Sequence, residues 1–209
     1  MIVLGLIRVS DETYDKHSYQ LEVQMKKSIN KFAILFSSLL LSTASMADNF
    51  LLSSTQIVHG ELMDKAQEFE GFGCSGGNES PQLSWSNAPK GTVAFAITVY
   101  DPDAPTGSGW WHWQIVNIPS NVTSLPAGSG DQSNKLAPKG SRQINNDYGF
   151  SGFGGACPPE GHGVHRYQFT VHALSKILEL PENASGALAG YMINAHSLGS
   201  SSIEALYKR

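Results

Sequence analysis

The 209 residues carry 14 Lys and Arg against 18 Asp and Glu, a net charge of −4, with 41% hydrophobic residues and two cysteines. No Lys/Arg cluster interrupts the chain beyond residue 48, which argues against nucleic acid or an anionic membrane as partner. No internal repeat or coiled-coil heptad is visible.

The chain divides near residue 48. Met25-Lys-Lys-Ser-Ile-Asn-Lys31 is basic, Phe32 to Leu41 is apolar, and Ser42 to Ala47 ends in small residues before Asp48. That order reads as a bacterial secretory signal over 25–47. Its apolar run is too short for a membrane span, so no stable insertion is expected after cleavage. Residues 1–24 then read as a mis-called or disordered leader. The mature chain, 48–209, is one domain of ordinary size, placed in the periplasm or secreted. Export puts Cys74 and Cys157 where pairing is the default. A bridge would close a loop of roughly 80 residues, worth about 4–5 kcal/mol; inert buried thiols are the alternative.

Residues 50–60 alternate loosely and read as an opening strand; 63–70 as a strand edge or a single turn. Residues 71–81 are Gly-rich. They match G-x-G-x-x-G and G-x-S-x-G by spacing, but lack the strand-turn-helix context either motif requires. Gln82 to Trp85 is a short strand ended by a turn. Val93 to Tyr100 is a buried strand rich in β-branched and aromatic residues. Asp101-Pro-Asp-Ala-Pro105 stops it, because proline donates no ladder hydrogen bond. Trp111 to Ile118 is its partner strand. A long loop over 119–140 and a second over 145–163 precede Val164 to Leu174. There His165 and Tyr167 share one face, Arg166 and His172 the other. Asn183 to His196 is the one clear helix, with Asn183 as N-cap and Leu188, Tyr191, Met192 and Ala195 on one face. Ile203 to Tyr207 closes the chain as a strand. Many short strands separated by turns, with one helix near the end, predict a mostly β sandwich with little helix.

If 93–100 and 164–174 are neighbours, polar groups converge where both strands meet Gly/Pro loops. Asp101, Asp103, His112, Pro158, His165, Arg166 and Tyr167 would then border one small site. Tryptophans would wall off water, and the carboxylates would hold the histidines charged and in one tautomer. Such a pocket suits a phosphate-type anion. The local alternatives are structural: an Asp-Pro turn, a hydrogen-bonded strand histidine (the reading kept for His172 and His196), and an arginine that ties down a loop. No metal-ligand spacing is present, and no cofactor is expected.

The segments Asn78-x-Ser80-Pro81-x-Leu83-x-Trp85, Asp101-Pro-Asp-Ala-Pro105, Gly109-Trp-Trp-His-Trp113, Gly154-Gly-Ala-Cys-Pro-Pro159 and His165-Arg-Tyr167 resemble the phosphatidylethanolamine-binding protein family, in its bacterial Raf kinase inhibitor-like branch. The resemblance spans Phe50 to Arg209. It implies a two-sheet, antiparallel, Greek-key sandwich with one or two short helices near the C-terminus, and an anion pocket of Asp101, Asp103, His112, Pro158, His165 and Tyr167, with Trp110, Trp111 and Arg166 at the rim. It also implies a cis Ala104–Pro105 bond. Ala156 departs from the family's usual proline, and no lid helix is expected after Leu206. The expectation is a non-enzymatic binding protein for a small phosphate-bearing or other anionic ligand, modulating an unidentified partner protein. The alternatives are a protease or kinase inhibitor-type interaction module and a hydrolase using the His/Asp pocket, although no Ser or Cys has a convincing nucleophile context. A homodimer is expected by analogy only.

Overall fold

In the computed structural model the described residues are 49–209 and the lone Gln24. The secretory signal expected over 25–47 lies outside them, as does the expected leader apart from Gln24. Ten strands run in chain order: β1 (Leu51–Ser53), β2 (Glu70–Gly71), β3 (Cys74–Ser75), β4 (Leu83–Ser86), β5 (Ala94–Asp101), β6 (Trp110–Pro119), β7 (Ser124–Leu125), β8 (Arg142–Gln143), β9 (His165–Leu174) and β10 (Ser197–Tyr207). One helix, α1 (Gly186–His196), precedes β10, and a short 3-10 turn covers Lys65–Gln67. The main sheet runs β10-β9-β5-β6-β8; a smaller one runs β1-β4-β7; β2 and β3 form a separate hairpin. Every pairing of named strands is antiparallel.

Strand β5 is central because its residues suit burial on both faces. Phe95, Ile97 and Val99 point inward with Trp113, Phe169 and Val171, against Leu83, Trp85 and Leu125 of the smaller sheet. Ala94 and Ala96 point outward with Val116 and Leu174, against Ala189 and Ile193 of α1. Small side chains on that outer face leave room for a helix, while the large ones fill the gap between sheets.

The helix departs from its sequence reading in two ways. Its N-cap is Ser185, whose hydroxyl accepts from the Leu188 N–H, two residues after the expected Asn183. The buried face is Gly186, Ala189, Gly190 and Ile193, while Tyr191 is 70% exposed. The reason is Trp111. A Cβ on Gly186 would stand 2.7 Å from its indole, and one on Gly190 3.4 Å away. The helix therefore lays its two glycines on the indole, and Ile193 rather than Leu188 or Tyr191 enters the core. The closing strand is longer than expected, because β10 pairs with β9 almost end to end. The opening strand is shorter, three residues long.

Candidate functional site

Strand β5 ends in Asp101, whose side chain organises the turn beyond it. Its Oδ1 accepts from the Asp103 N–H at 2.8 Å, an Asx turn that reverses the chain. Gly107 and Gly109, at φ 74° and 68°, complete the reversal. The Ala104–Pro105 bond is trans, not cis as the resemblance implied; among the described residues none is cis. Asp101 Oδ2 accepts from His165 Nδ1 at 2.7 Å, with both groups buried. His165 Nε2 meets His162 Nδ1 at 2.7 Å, a hydrogen bond in which one imidazole donates to the other.

His112 reaches the same place through a β-bulge. Val99 pairs with Trp113 and Tyr100 with Trp111, which leaves His112 as the extra residue. The bulge puts His112 on the inner face beside Trp113, where strict alternation would have set it opposite. Its Nδ1 lies 2.7 Å from the Gly154 carbonyl and 3.1 Å from that of Gly155. Carbonyls only accept, so Nδ1 carries the hydrogen and Nε2 is left with its lone pair. The two glycines are required by space. A Cβ on Gly154 would stand 2.4 Å from the Tyr148 ring, and one on Gly155 2.4 Å from the Gln67 carbonyl. Asn78 fixes the same loop, accepting from the Gly155 N–H at 2.7 Å. Ser80 holds the neighbouring loop through the Gly130 N–H at 2.8 Å.

Asp101, His112, Pro158, His165, Tyr167 and Trp110 line a cavity of about 190 Å³. At about 30 Å³ per water, this is space for a small head group. Asp103, Trp111 and Arg166 are absent from its wall. Asp103 turns outward to Arg166, accepting from Nε at 2.9 Å and from a terminal nitrogen at 2.8 Å. Trp111 points to the outer face, under α1 and 4.5 Å from the Tyr100 ring. The wall also includes Tyr148 and Phe72, which sequence reasoning missed. Tyr148 lies in the 145–163 loop, donates to the Gly155 carbonyl at 3.0 Å and sets its ring edge-on to His112. Phe72 is the tip of the β2–β3 hairpin. The Cys74–Cys157 disulfide binds that hairpin to the Cys157-Pro-Pro segment, and this pairing was the available clue to Phe72.

Two lining residues carry buried donors with no protein acceptor: Tyr167 through its hydroxyl and Trp110 through its indole N–H. Burial pushes the Tyr167 and Tyr148 phenols up, so both remain protonated donors. Burial also holds His112 below the ordinary imidazole range, despite the carbonyls and Asp101 that favour its charged form. This corrects the expectation that carboxylates keep it charged. Arg166 holds the Asp103 carboxyl down at about 2. Among the described residues no group of three or more His, Cys, Asp or Glu side chains is arranged to hold a metal ion.

The profile of the phosphatidylethanolamine-binding proteins matches residues 53–208. With an antiparallel sandwich and a buried His/Asp cavity at the strand ends, the chain belongs to that family. The UPF0098 protein YbcL of Escherichia coli is 50% identical over 166 residues, covering 79% of this chain and 91% of that one. YbhB of the same organism is 45% identical over 157 residues, covering 75% and 98%. The crystal structure of E. coli YbcL, described as a new member of the mammalian PEBP family, has a TM-score of 0.75 at 51% identity, covering 77% of this chain and 98% of that one. A structure of CT736 from Chlamydia trachomatis has a TM-score of 0.64 at 26% identity, covering 77% and 97%.

Proposed function

We propose that this chain is a non-enzymatic, extracytoplasmic binding protein whose cavity holds a phosphate-type anion, free or on a lipid head group. The observation that carries the reading is a cavity bordered by His112 and His165, two of whose lining residues, Tyr167 and Trp110, carry enclosed side-chain donors with no protein acceptor. Buried donors without acceptors are costly, and an oxyanion satisfies several at once. The disulfide and the signal-type sequence before Asp48 support export. Calorimetry with phosphate and phosphoethanolamine tests the reading. Binding should be lost in His112→Ala or His165→Ala, and unchanged binding in both overturns it. A pull-down with and without His112→Ala tests whether a partner protein reads the loaded site.

The hydrogen-bonded series Asp101–His165–His162 favours a second reading, acid–base hydrolysis. Turnover of phosphate or carboxylic esters by the purified protein, lost in His112→Ala, would establish it in place of the first.

A further inference from the structure

We propose that the cavity selects an oxyanion that still carries a proton, namely a phosphate monoester, a phosphonate or inorganic phosphate as the monoanion, over aprotic anions such as diesters and sulfonates. This rests on the anion-binding reading and narrows its ligand class. His112 is the deciding residue. Its Nδ1–H is committed to the carbonyls of Gly154 and Gly155, so the nitrogen left for a ligand is Nε2, an acceptor. The Asp101 oxygens are acceptors as well, and no Lys or Arg belongs to the lining set. A fully deprotonated anion would bring its lone pairs against those of His112 and against the Asp101 charge.

A monoprotonated phosphoryl group fits the wall. Its P–OH donates to His112 Nε2, and a small turn of the Tyr167 hydroxyl or the Trp110 indole, which are enclosed and have no protein acceptor, would let its remaining oxygens accept from them. The charged and titratable groups around His112 are Asp101, Asp147, Tyr148, His165 and Tyr167. The two carboxylates favour a charged His112 but do not outweigh its burial.

Methylphosphonate and methanesulfonate at pH 6.5 isolate the point: His112, held below its ordinary range, is mainly neutral there, methylphosphonate is mainly the monoanion, and the two anions match in shape and differ by one proton. Calorimetry on the intact protein should show methylphosphonate binding at least about 10-fold more tightly, the expected result when one anion leaves a buried acceptor facing an acceptor. In His112→Gln, whose amide can turn its NH2 to the ligand, the preference should fall below about threefold. Nitrogen NMR of the free wild type should find Nε2 of His112 without a hydrogen, a measurement that does not depend on the variant folding. Equal binding of the two anions, or a protonated Nε2, overturns the selectivity alone. Failure of both anions and of inorganic phosphate to bind overturns the anion reading, and the selectivity falls with it.

Discussion

Strand β9 carries a histidine on each face, His165 on the inner and His172 on the outer, and the two have different fates. His165 meets a buried carboxylate at 2.7 Å and borders a cavity. His172 meets the Thr98 hydroxyl at 3.1 Å, on the face that α1 covers. Burial alone drives His172 down to about 4, which makes it a neutral, structural imidazole. An imidazole on a strand becomes part of a site when a carboxylate orients it and the wall beside it stays open; a hydroxyl and a packed helix make it part of the scaffold. The opening at the His165 end is kept by the β2–β3 hairpin and the loop that the disulfide ties to it.

The largest effect expected bears on that staple. The Cys74→Ser/Cys157→Ser double variant should lose about 4–5 kcal/mol in urea unfolding, from the loop entropy of an 83-residue separation. A loss below about 1 kcal/mol would mean that the hairpin holds its place without the bond. Next is the pH response of the scaffold histidine. The unfolded chain binds the His172 proton near the ordinary 6.5, the folded one only near 4. Stability from this group is therefore intact above pH 6.5 and declines as pH falls to 4, by up to about 3 kcal/mol. Melts of His172→Gln between pH 7 and 4 should show a correspondingly flatter slope, and an unchanged slope would assign it elsewhere.

The ligand readout separates the faces directly. His165→Ala should weaken phosphate binding by at least about 10-fold, while His172→Ala stays within about twofold. Equal losses would mean that folding, not the cavity, is being measured. Smallest is Asp103→Asn, which removes a partly exposed partner of Arg166 and should shift phosphate affinity by less than about twofold. A large loss there would return Asp103 to the site.

Much of the site was legible in the residues. The alternation of 165–174 placed His165 and Tyr167 together because strand side chains repeat with period two. The Asp-Pro segment after Tyr100 announced a strand end with a carboxylate in it. Trp111 was misplaced at the rim because adjacent strand residues face opposite ways, and nothing local says which of Trp110 and Trp111 faces in. Asp103 was misplaced because its pairing with Arg166 joins residues far apart in the chain. The helix face was misread for a related reason: hydrophobicity ranks Leu188 and Tyr191 above Gly186 and Gly190, but the surface to be covered was the flat indole of Trp111.

By itself, the sequence determined the long strands around 94–101, 110–119 and 165–174, the sandwich class, and which acids and imidazoles sit at strand ends, since these are set by short-range periodicity and chain breakers. Only the tertiary structure decided that a bulge turns His112 inward, that glycine carbonyls fix its tautomer, and that Tyr148 and Phe72 close the wall. Each depends on contacts between distant segments, whose geometry exists only once the sheets have packed.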